Sequence, residues 1–106
     1  MLLRKEVQTG DLVITVYDFE NAGDILPKHS HSTETVHVTI VARGSVRAYS
    51  HDWEKVATTG QILDFRPNEP HEFVALEDNT RIINIPKNVR AFLGADNPPE
   101  SEPVQE

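Results

Sequence analysis

Cysteine is absent from the 106-residue chain, which excludes a disulfide framework and any thiolate metal site. Basic residues are scarce: ten Lys and Arg stand against seventeen Asp and Glu, for a formal net charge of −7. Nucleic-acid binding needs clustered cations to meet phosphates, so no nucleic-acid partner is expected. Long apolar runs are missing too, and nothing approaches the roughly 20 residues that a bilayer-crossing helix needs. The opening MLLRKEV meets charge by its fourth residue and has no apolar h-region, so no signal peptide is expected. These absences lead to the expectation of a cytoplasmic protein with no membrane partner. A helix-forming stretch is the last absence: no amphipathic segment of about 10–15 residues interrupts the chain, which argues against βαβ units.

What the chain does have is a series of short apolar or alternating runs. They cover residues 12–19, 36–42, 46–49, 61–65, 72–76 and 81–85, and Val, Ile, Thr, Phe and Tyr dominate them. Between them stand turn residues such as Gly10-Asp11, Gly23, Gly44, Thr59-Gly60, Pro67-Asn68 and Asp78-Asn79. A strand and turn every 8–12 residues or so is the pattern of an all-β sandwich or barrel. Residues 87–93, followed by Gly94, are the only candidate for a helix, a short one. Beyond them the chain is acidic and Pro-rich, with Asp96, Glu100, Glu102 and Glu106 and little to bury. The expected organisation is therefore one β-barrel domain over 1–93 and a solvated tail over 94–106.

Five histidines occur, and four of them are arranged for metal binding. His29 and His31 are two apart, and residues i and i+2 of a strand point to one face. His37 opens the next apolar run in parity with Thr39 and Val41, and His71 opens the run 72–76 after a Pro-bounded turn. Imidazole is a common ligand for divalent transition metals. His51, between Ser50 and Asp52 at a hairpin tip, reads as a bystander, and Trp53 beside it as an aromatic that covers an edge or a subunit contact.

With these residues in view, the chain resembles the cupin superfamily. The first cupin motif, G-x5-H-x-H-x3–4-E-x6-G, is matched by Gly23, His29, His31 and Gly44, with His37 where the family usually has Glu. The second, G-x5-P-x-G-x2-H-x3-N, is matched by Gly60 and His71, while Arg66, Asn68 and Ala75 replace its Pro, Gly and Asn. The segment between His31 and His37 is longer than usual, and Glu34 within it is a rival to His37 as the fourth ligand. The resemblance implies a single-domain cupin β-barrel (a double-stranded β-helix, or jelly roll) with at most one short C-terminal helix. It also implies one divalent transition metal ion, Fe, Mn, Ni, Zn or Cu, held by His29, His31, His37 and His71. Ca and Mg, which want oxygen ligands, do not fit. An all-imidazole set leaves the ion its full charge and favours anionic or chelating oxygen ligands.

Inward parity behind the ligands selects Thr39, Val41 and Arg43 after His37, and Phe73 and Ala75 after His71. Tyr49, Tyr17, Arg47 and Arg66 are further polar candidates. Asp64 is a candidate general base or partner to an imidazole N–H, unless Leu63 and Phe65 claim the interior and turn it to solvent. The resemblance leaves three functions open: a metal-dependent enzyme of dioxygenase or isomerase/lyase type acting on a small oxygenated molecule, a non-catalytic ligand-binding or sensing module with a structural metal, and a stable barrel without chemistry. It also implies a homodimer through the second apolar face of residues 36–42.

Overall fold

Pleated backbone sends successive side chains to opposite faces, so a strand that is buried on one side alternates in exposure. His71, Phe73 and Ala75 are buried while Glu72 and Val74 between them are only partly so. The computed structural model describes residues 1–29, 35–66 and 68–88, and all regular structure among them is β. Nine strands follow in order: β1 (Leu2–Thr9), β2 (Leu12–Phe19), β3 (Ile25–His29), β4 (Thr35–Arg43), β5 (Ser45–Tyr49), β6 (Glu54–Thr58), β7 (Ile62–Asp64), β8 (His71–Ala75) and β9 (Thr80–Asn88). They form a five-stranded sheet, β1-β2-β9-β4-β7, and a four-stranded sheet, β3-β8-β5-β6, both antiparallel throughout. No helix of the described residues is long and apolar enough to cross a membrane.

The inner faces of the two sheets meet in one core. Phe19, Val41, Leu63 and Ile82 come from the five-stranded sheet; Leu26, Val46, Ala48, Ala57, Phe73 and Ala75 come from the other. At one end the core is sealed by the turn between β4 and β5. Gly44 lies there at φ +82°, and a Cβ on it would collide with the Thr80 side chain and sit 3.0 Å from the Thr80 Cα. Only glycine meets both demands without strain. Thr80 is fully buried, donates to the Glu77 carbonyl at 2.9 Å and fastens the start of β9 to this turn.

At the other end β2 parts from β9. Pairing of β2 with β9 stops at Thr15–Asn84, two residues short of Pro86, whose missing N–H ends the ladder. β4 continues along β9, with His37 opposite Pro86. Among the described residues, His29, His37 and His71 stand toward this end of their strands.

Sequence periodicity locates six of the nine strands. The short β3 carries Pro27 and Lys28, β1 carries three charges in a row, and β6 is nearly all exposed, so none of them displays an apolar face. The helix expected over 87–93 is corrected at its start: Lys87 and Asn88 extend β9. Residues 89–93 and the expected tail over 94–106 lie outside the described residues.

Candidate metal and ligand site

Register brings the first and last histidines together. β3 pairs with β8 through Leu26–Phe73 and then through His29–His71, so three residues of β3 run against two of β8. This one-residue bulge, at an edge strand that carries Pro27, puts His29 rather than Lys28 opposite His71. On the facing sheet, His37 lies half-buried at the open end of β4, on the strand face that Thr39 and Val41 bury, and its Nδ1 is enclosed. His31 and its rival Glu34 lie outside the described residues. Among the described residues no three His, Asp or Glu side chains gather into a metal cluster.

His71 is the best-defined member. It is 1% exposed, and the Phe65 ring lies over it with centroids 4.0 Å apart and planes 17° off parallel. Its Nδ1 donates to the Glu69 carbonyl oxygen at 2.9 Å. A carbonyl can only accept, so the neutral ring carries its proton on Nδ1 and its lone pair on Nε2. A metal-binding histidine needs that arrangement: one nitrogen held by a backbone or carboxylate oxygen, the other basic. The donor chemistry at His71 therefore fits a transition metal.

The loop that carries this carbonyl is itself fastened. Glu69 accepts from Trp53 Nε1 at 2.8 Å, from the Arg66 backbone N–H at 2.9 Å and from the Arg66 guanidinium at 3.3 Å. These donors, Trp53 foremost, pull its carboxyl from 4.5 down to about 2. Ser50 Oγ donates to the Pro70 carbonyl at 2.7 Å, so the β5–β6 hairpin holds both sides of the turn. Trp53, expected over an edge or a subunit contact, stacks on Phe65 with centroids 5.8 Å apart and packs against the core. Asn68 takes φ +63°, the left-handed conformation that the motif's usual glycine would supply.

A polar row crosses the inner face of the five-stranded sheet one step below His37. Thr15, Asn84 and Thr39 stand side by side on β2, β9 and β4, with exposures of 9%, 3% and 1%. Thr39 Oγ1 donates to Asn84 Oδ1 at 2.7 Å. Asn84 keeps both amide hydrogens for a further acceptor. Tyr17 lies half-buried on the same inner face, opposite Ile82.

Of the expected lining, Thr39, Val41, Phe73 and Ala75 are all buried on the inner faces. Three residues are corrected. A bulge between Val41 and Arg43 reverses the parity of β4, so Arg43 is exposed, donates to the Asn79 carbonyl at 2.7 Å and lies 3.6 Å from Asp18. Tyr49 follows Val46 and Ala48, which take the interior, and stands opposite Glu72 on the outer face. Asp64 is exposed opposite Val38, because Leu63 and Phe65 claim the interior; it is not a base within the barrel. Nothing in the sequence singles out Asn84, Thr15 or Glu69. The one available signal is an Asn in the middle of an Ile-rich strand, where a buried amide is costly without a role.

Two antiparallel sheets closed on one core, sealed at the Gly44 end and carrying imidazoles at the other, define a cupin, the double-stranded β-helix class. More narrowly, the chain belongs to the family of AraC-like ligand binding domains, whose sequence model matches residues 11–88. Comparison with curated protein sequences gives no match. Solved structures carry the same fold. KdgF from Halomonas sp. is similar with a TM-score of 0.71 and 22% identity, over 87% of this chain and 83% of its own. A protein with a double-stranded β-helix domain from Klebsiella pneumoniae has a TM-score of 0.71 and 17% identity, over 82% and 76%. An RmlC-like cupin from Desulfovibrio desulfuricans has a TM-score of 0.68 and 26% identity, over 79% and 80%. The cupin resemblance carried by the two motifs is confirmed, and with it a domain built to bind a small ligand.

Proposed function

We propose that this domain holds a divalent transition metal ion through His29, His31, His37 and His71, and acts as a metal-dependent enzyme on a small oxygenated organic molecule. The reaction class is dioxygenase-like or isomerase/lyase-like. The observation that carries the reading is His71, enclosed in aromatic rings with Nδ1 committed to a carbonyl and in register with His29. Bound there, such an ion supplies Lewis-acid polarisation and acidifies water. The chain's own residues then recognise the rest of the molecule. Thr39 and Asn84 offer a hydroxyl and an amide to ligand oxygens, while Val41 and Phe73 exclude water behind them.

Elemental analysis of protein purified without added metal tests this directly. About one ion per chain is expected, lost in His71→Ala and released as pH falls below about 6, where imidazoles protonate. Iron or copper points to oxygen chemistry, and zinc alone to isomerase or lyase chemistry. Metal-free protein that also fails to take up zinc or iron removes the reading.

A second reading is a non-catalytic binding or sensing module with a structural metal, favoured by the ligand-binding character of the family. A metal closed to azide supports it. Either way we place the protein in the cytoplasm as a homodimer. The outer face of the five-stranded sheet carries exposed Ile62 in register with Ile40 and Ile83, and exposed Leu3 and Val7 on its β1 edge, apolar surface that a second copy would cover. Light scattering at tens of micromolar (roughly the range for specific dimers) should give twice the chain mass.

A further inference from the structure

A lone pair on Nε2 of His71 depends on which nitrogen holds the proton, and that depends on where the Glu69 carbonyl sits. This carbonyl lies outside the β8 ladder, two residues before the ring that donates to it, in the turn between β7 and β8. The turn is held instead by the side chain of the same residue. The Glu69 carboxylate is 9% exposed and gathers Trp53 Nε1, the Arg66 backbone N–H and the Arg66 guanidinium; the Glu69 N–H returns a bond to the Arg66 carbonyl at 3.1 Å. Trp53 comes from the β5–β6 hairpin, so the clamp ties the turn to a different part of the four-stranded sheet. Phe65 lies between the Trp53 and His71 rings and stacks on both.

We propose that Glu69 is a positioning residue for His71: its carboxylate, braced by Trp53 and Arg66, fixes the carbonyl that holds the His71 ring in the Nδ1–H tautomer and so makes Nε2 the donor nitrogen. The purpose of this device rests on the reading of His71 as a metal ligand, but the tautomer is a property of the protein without metal. A carboxylate with three N–H donors is a stronger brace than the β-turn alone, because charge-assisted bonds are roughly twice as strong as neutral ones. Glutamine keeps an oxygen for Trp53 but turns an amide toward the Arg66 N–H, so it loosens one side of the brace only. Alanine removes both sides.

Nitrogen-15 spectra of the imidazoles, recorded on metal-free protein above the histidine titration range, read the tautomer. Wild type should show one His71 form, protonated at Nδ1. Glu69→Ala should lose that single form and give a mixture with the Nε2–H tautomer, Glu69→Gln a smaller admixture, and Trp53→Phe, which keeps the stack on Phe65, likewise. Zinc titrated into the same samples should bind roughly 10-fold or more weakly in Glu69→Ala. Variants that melt earlier yet keep one unchanged His71 tautomer overturn the proposal, since a merely structural brace lowers stability alone. Should Glu69→Ala fail to fold, the Gln and Phe variants carry the test. If the tautomer shifts as expected but wild type takes up no zinc, the positioning role stands and the metal reading falls.

Discussion

Among the described residues, the buried side chains on the inner face of the four-stranded sheet are apolar, namely Leu26, Val46, Ala48, Ala57, Phe73 and Ala75, until His71 begins β8. The inner face of the five-stranded sheet interrupts Phe19, Val41, Leu63 and Ile82 with Thr15, Thr39 and Asn84. The residues named on both faces are all buried, so burial does not explain the difference. An amide and two hydroxyls taken from water cost free energy that their hydrogen bonds only partly return, whereas Val or Leu in their place would add to the core. The first sheet supplies the hydrophobic driving force and the second gives some of it up to present polar atoms beside His37. That is the difference expected between the proposed binding surface and a scaffold surface.

The largest effect should come from the scaffold side. Phe73→Ala removes a fully buried ring that touches Phe65 and His71 and should cost about 3–5 kcal/mol in urea unfolding. The double variant Thr39→Val/Asn84→Leu replaces a hydrogen-bonded pair by apolar groups of similar size and should be near neutral, or stabilising. A double variant that loses as much as Phe73→Ala would break the comparison, because the polar row would then be part of the scaffold.

Acid should act next, and on the four-stranded side. Glu69 has a folded-state pKa of about 2 against an ordinary 4.5, so its ionised form stabilises the fold. That contribution is complete above about pH 5, and falls away as pH drops through 4.5 toward 2. A shift of this size corresponds to at most about 3–4 kcal/mol. Stability measured from pH 6 to pH 3 should decline in wild type and decline less in Glu69→Gln, which has no carboxyl to protonate. Parallel curves for the two proteins would assign the acid sensitivity elsewhere, Asp18 beside Arg81 being the next carboxylate held below its usual range.

How far the sequence reveals these two sheets follows from what each strand must display. β2, β4, β5, β7, β8 and β9 carry apolar residues in runs, and the turn residues between them set their limits to within a residue or two, except that β9 runs three residues past its expected end, to Asn88. β1 exposes nearly its whole length, Arg4, Lys5 and Glu6 included, so it has no buried face to read. At the site, simple parity places Thr39, Val41, Phe73 and Ala75 inside. It fails at Arg43, because the bulge after Val41 is written in backbone register and not in residue type. The bulge before His29 is equally invisible, yet it decides which residue of β3 faces His71. Asn84 escapes notice because its meaning depends on Thr39, forty-five positions away in sequence and adjacent only through sheet pairing.

The smallest effects should separate two hydroxyls. Thr39 Oγ1 lies inside, bonded to Asn84, and Thr39→Val leaves Asn84 Oδ1 buried without that donor, at a cost of about 1–3 kcal/mol. The Tyr49 hydroxyl belongs to a side chain on the outer face of the four-stranded sheet, and Tyr49→Phe should stay within about 0.5 kcal/mol of wild type. Equal size of perturbation thus gives unequal outcomes, set by which side of a sheet the oxygen occupies. Thermal melts of the two single variants measure the difference. A Tyr49→Phe loss as large as that of Thr39→Val would mean that the outer face of β5 is covered in solution, and would move the proposed subunit contact from the five-stranded sheet to the four-stranded one.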